Sequence, residues 1–206
     1  ATTHSRRRVK MVKRTTPTPP PYFLPTPPDG IVTYHPGNLT TFKDRLLLSE
    51  GLDSKLLATS EKRVKFYDGS ESTIDFHGRP DAGATFPDTR AHNAGGWVYV
   101  SNSEMQVNGA GGVGAITFDK HGNIIDYRMI LEGSTWNCGG GKTPWNTWVS
   151  CEESPADMKE GRIYQVDPFG EKSAQEMTLG SDGGTWESFA YDIRNPQQPH
   201  FYATED

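Results

Sequence analysis

Beyond residue 60, short apolar stretches alternate with polar positions, and turn residues punctuate them every few positions. That pattern predicts strands at Arg63–Tyr67, Trp97–Asn102, Gly114–Asp119, Ile124–Leu131, Thr147–Cys151, Arg162–Asp167, Glu176–Leu179, Ser188–Asp192 and His200–Thr204. Asp68-Gly69, Gly95-Gly96, His121-Gly122-Asn123, Asp182-Gly183-Gly184 and Asn195-Pro196 supply the turns between them. No helical period intervenes, so the strands are expected to form antiparallel meanders. The spacing suits an all-β chain of radially arranged four-stranded blades, a partial β-propeller, and suits a sandwich almost as well. The one helical pattern lies earlier. Thr41, Lys43-Asp44 and Leu46-Leu47-Leu48 predict a short helical connector within residues 37–60, ended near Gly51.

Composition sharpens this picture. Of 206 residues, 22 are glycine and 15 proline, which disfavours a helix bundle. Eight of the prolines fall within residues 1–36, so this stretch reads as an extended, basic, Pro-rich arm. Its head carries Arg6, Arg7, Arg8, Lys10, Lys13 and Arg14 without an acid, and could meet an acidic protein partner or be a processing remnant. The rest then holds 15 bases against 26 acids. Such a body repels nucleic-acid phosphates and suits hard cations. No apolar run reaches membrane-spanning length. Asn38-Leu39-Thr40 is a glycosylation sequon at Asn38, meaningful only in an exported protein.

Two nucleotide motifs fail on context. Gly109-Ala110-Gly111-Gly112-Val113-Gly114 has the dinucleotide spacing, but a strand pattern follows it where a helix is required. Gly139-Gly140-Gly141-Lys142-Thr143 resembles a P-loop, yet Trp136 takes the place of its first glycine and Pro144 blocks the helix. The histidines show no ligand spacing, and His92 reads as a loop residue.

One stretch carries chemistry. Between Trp136 and Glu153 lie three tryptophans, three consecutive glycines, Cys138, Cys151 and the acidic pair Glu152-Glu153. Glycine permits close backbone approach to a ligand. Adjacent acids repel unless a cation holds them. The two cysteines are either a bridge between neighbouring strands or two thiols.

The segment Asn137-Cys138-Gly139-Gly140-Gly141-Lys142-Thr143-Pro144-Trp145-Asn146-Thr147-Trp148-Val149-Ser150-Cys151-Glu152-Glu153 resembles the signature of the PhoX family of phosphatases. Collinear matches extend the resemblance over about residues 60–206: Gly95 to Glu104, Gly111 to Gly114, Gly161 to Tyr164, Asp167 to Gly170, Glu187 to Asp192 and Tyr202 to Asp206. It implies exported β-propeller phosphomonoesterases that use iron and calcium. Cys138 matches the iron-bridging cysteine, Glu153 and Glu205 match metal-binding acids, and Glu104 and Glu187 match further acidic positions. The family's propeller is much longer than this chain, so a fragment is expected. A non-catalytic extracellular propeller, serving as a structural or binding subunit, is the rival reading. A Cys138–Cys151 disulfide would favour that rival.

Overall fold

The computed structural model describes residues 39–154 and 160–206. The basic Pro-rich arm and the sequon at Asn38 lie outside the described residues. Two units separate, one within residues 12–57 and the other holding residues 58–206.

In the first unit the expected helical connector is instead a hairpin, β1 (Leu39–Lys43) against β2 (Leu46–Ser49). The leucine run is a single turn long, too short to offset the cost of helix nucleation. Asp44 and Arg45 adopt φ of 50° and 67°, the left-handed pair that a two-residue hairpin loop requires. The Asp44 carboxylate accepts a hydrogen bond from Ser54 Oγ at 2.9 Å, and Lys43 pairs with Asp53.

The second unit is all-β and antiparallel throughout. Its described helical structure is one 3-10 turn, Ala91–Asn93. β3 (Arg63–Lys65) pairs with β4 (Glu71–Asp75). Next comes a four-stranded meander of β5 (Pro80–Pro87), β6 (Trp97–Ser103), β7 (Gly111–Phe118) and β8 (Ile124–Ser134). A second meander follows: β9 (Asn137–Lys142), β10 (Trp148–Glu152), β11 (Ile163–Val166) and β12 (Gln175–Glu176). β13 (Trp186–Asp192) and β14 (His200–Glu205) form the last pair. None of these sheets closes on itself.

Three apolar clusters hold the sheets face to face. Phe76, Ile116, Phe118 and Tyr127 pack with Val64 of β3. Phe86, Val98, Val100, Val113 and Leu131 meet Trp148 and Val166, joining the two meanders. Val149, Cys151 and Ile163 meet Phe189 of β13. β7 is therefore buried on both faces along its whole length. Its Gly111–Gly114 run is strand, which removes the dinucleotide reading. The turn before β6 is fixed by Asp88, whose carboxylate accepts bonds from Arg90 Nε at 2.9 Å and Asn93 Nδ2 at 2.9 Å. These donors hold the Asp88 carboxyl below the usual range. His92 lies exposed on that turn.

A buried histidine gives the fold a pH dependence. His77 touches the Tyr127 hydroxyl through Nδ1 at 3.1 Å and Ser101 Oγ through Nε2 at 3.2 Å. Burial lowers its pKa from 6.5 to about 4. The unfolded chain takes up that proton as the pH drops below about 6.5, whereas the folded chain does not. Stability from this group is thus complete above pH 6.5 and is lost on acidification, by roughly 2–3 kcal/mol near pH 4.5. Urea unfolding at pH 7 and pH 4.5 should show that loss, and H77Q should remove it. An identical pH slope in the two proteins would refute the assignment.

Candidate metal centre

The site begins with the glycines of β9. An added Cβ at Gly139 would lie 1.5 Å from the Glu187 carbonyl oxygen, and one at Gly141 would lie 2.3 Å from that of Phe189. On the other face, a Cβ at Gly140 would lie 2.1 Å from the Val149 carbonyl oxygen. The triple glycine thus lets β13 lie backbone to backbone on β9. The close approach expected from these glycines is to a neighbouring strand.

Two bulges flank this contact. Between Gly140↔Ser150 and Asn137↔Glu152, β9 spends three residues where β10 spends two, so Cys138 and Gly139 together oppose Cys151. Between Ser188↔Thr204 and Trp186↔Glu205, β13 carries one extra residue, Glu187. A bulge redirects the side chain it carries. Here the two bulges turn Cys138 and Glu187 toward one another. Glu153, just past β10, is fixed by its own N–H to the Trp136 carbonyl at 2.9 Å and by a bridge to Thr185.

Two groups of ligand-type atoms result, and Cys138 belongs to both. Cys138, Glu153 and Glu187 place one atom each within 4.8 Å of the others, as do Asp81, Glu104 and Cys138. The thiol donates toward Asp81 Oδ2 at 3.5 Å. Burial first, then the charges of Asp81, Glu153 and Glu187, push the Cys138 thiol well above its ordinary value. Arg79 Nη2 stands 3.9 Å from Glu104 Oε2 at the rim. A sulfur among four carboxylates suits a borderline metal at the sulfur and hard cations at the oxygens. These residues are possible metal-binding groups on that chemistry.

The other sequence candidates fall elsewhere. Glu205 lies at the end of β14, opposite the Glu187 bulge and outside both groups. The Glu152-Glu153 pair is split by strand alternation. Glu152 is buried, and its carboxylate accepts the N–H groups of Thr135 and Arg162, each at 2.8 Å. Both cysteines are free thiols. Cys151, on β10, points into the apolar core, where burial pushes it up to about 12. Asp81 escaped the sequence reading, because nothing in Pro80-Asp81-Ala82-Gly83 marks a ligand.

Family comparison decides what this arrangement belongs to. The family model of alkaline phosphatase PhoX matches residues 65–206. The chain belongs to the PhoX alkaline phosphatase family. No curated protein and no solved structure matches it. The PhoX match covers Asp81, Glu104, Cys138, Glu153, Glu187 and Glu205. Membership points to phosphatase activity, hence to a phosphomonoester substrate and to hydrolase chemistry. No helix among the described residues is long and apolar enough to cross a membrane.

Proposed function

We propose that this chain is part of an exported, metal-dependent phosphomonoesterase whose centre is built on Cys138. The observation that carries the reading is the convergence of Cys138 with Glu153 and Glu187 on one side and Asp81 and Glu104 on the other. The donor set fits iron at the sulfur and calcium at the acids, the metals that the family resemblance implies. Glu205, outside both groups, enters this reading as a further ligand on the family resemblance alone. Stacked antiparallel sheets, each packed on the next, support a propeller of which these are consecutive blades. Export and glycosylation at Asn38 belong to the same reading, as does a protein partner for the basic arm.

The residues divide the work. Cys138 loses its Sγ proton on loading, and Asp81 Oδ2, 3.5 Å away, faces that proton as its first acceptor. Asp81, Glu104, Glu153 and Glu187 bring four carboxyl groups close together, a crowding that bound cations would offset. Bound iron and calcium would neutralise the phosphate dianion and activate water for attack on it. Arg79 keeps a positive charge beside Glu104 at the rim, suited to the same dianion. No serine or threonine nucleophile is needed. The free Cys138 thiol favours this reading over a structural module stapled by a disulfide.

The test is elemental analysis of the purified full-length protein together with p-nitrophenyl phosphate turnover. Iron and calcium should copurify, and a chelator should remove both metal and turnover. A protein with neither metal nor turnover would end the proposal.

A further inference from the structure

The carbonyl groups of a bulge lose their regular ladder partners. At Cys138 and Gly139 the replacement partner comes from a different sheet. Asn102 of β6 is fully buried, and its Nδ2 donates to both carbonyls, at 2.8 Å each. Its Oδ1 accepts from Trp148 Nε1 at 2.8 Å and from Ser150 Oγ at 3.0 Å. An indole N–H can only donate, so Trp148 fixes which way the amide faces. All four bonding positions of the amide are filled. Asn137 extends the network, donating from Nδ2 to Ser150 Oγ at 2.9 Å and accepting from Ser134 Oγ at 2.7 Å.

We propose that Asn102 is a positioning residue for Cys138, tying the bulge carbonyls to a buried amide so that the sulfur stays between the two carboxylate pairs. The proposal deepens the metal reading above and rests on it. Asn102 touches neither the sulfur nor the acids; it acts through the backbone that carries the sulfur. The other arm of the amide, toward Trp148 and Ser150, serves the packing between the meanders. The second arm can therefore be weakened at Ser150 while the bonds to the two carbonyls stay in place.

The experiment titrates cobalt(II) into the full chain and follows the thiolate-to-cobalt charge-transfer absorption, with a thermal melt on each protein. N102A, which frees both carbonyls, should weaken cobalt binding by about 10–100-fold and diminish the thiolate band. S150A, which removes one bond of the opposite arm, should lower the melting temperature yet keep cobalt affinity within about threefold of wild type, well below the 10–100-fold loss expected of N102A. If N102A does not fold, N102S decides under the same titration, with folding judged by circular dichroism. A wild-type thiolate band accompanied by unchanged affinity in N102A or N102S would overturn this inference alone. An equal loss in S150A would do the same, since the effect would then be one of stability. Absence of any thiolate band in wild type would overturn the metal reading and this inference together.

Discussion

C138A should lose iron and calcium together and lower p-nitrophenyl phosphate turnover by more than about 100-fold, because removal of a ligand exceeds the effect of removing its support. The sulfur is the one atom shared by both ligand groups, so its loss disconnects Asp81 and Glu104 from Glu153 and Glu187. The metal-free fold should scarcely suffer. Cys138 lies partly exposed at the bulge, outside the apolar clusters. C151A supplies the contrast: this thiol is fully buried against Phe189 and Ile163. Its removal should cost about 1 kcal/mol, as for a small core deletion, and leave metal and turnover intact. Metal content, turnover and urea unfolding of the two variants decide the matter. Turnover retained in C138A would remove the sulfur from the mechanism.

Among the described glycines, G139A should be the most damaging single-methyl change. Its Cβ would meet the Glu187 carbonyl oxygen at 1.5 Å, a backbone atom that moves only if β13 moves. The upper end of core overpacking, about 3 kcal/mol, is the expected minimum. For a domain of this size that corresponds to a melting point lower by roughly 10 °C. Displacing β13 also displaces Glu187, so cobalt affinity should fall alongside. G133A is the control. Gly133 has φ of 78° and nothing within 4 Å of its added Cβ, leaving only left-handed strain of about 1–2 kcal/mol. If G139A melts no lower than G133A, the backbone contact between β9 and β13 is not what the glycines serve.

Much of the β pattern was legible in the sequence, and the reasons for the omissions are physical. Strands such as β6, β8 and β10 declare themselves through their Val, Ile, Trp and Tyr residues. β9 does not, because half of its six residues are glycines whose value lies in the side chains they lack. β5 contains proline, glycine and aspartate, all poor strand formers, and is held by its pairing with β6. β4 is polar and mostly exposed. The hairpin of β1 and β2 was misread because three consecutive leucines fit either period, and the deciding residues, Asp44 and Arg45, carry an uncommon left-handed turn. At the site, the resemblance supplied Cys138, Glu153, Glu104 and Glu187. The folded chain added Asp81, brought from 57 positions away, and gave Asn102 a role no local pattern announces. The resemblance singled out Glu153 over Glu152; the physical reason, the opposite directions of neighbouring strand residues, shows only in the folded chain.

The crowd of acids around Cys138 has one more effect. A thiol attacks peroxide or an alkylating reagent only after ionising, and burial together with these neighbours opposes ionisation. A protonated sulfur in this setting reacts slowly with oxidants. Under the metal reading proposed above, the cation that would let this sulfur ionise would also cover it.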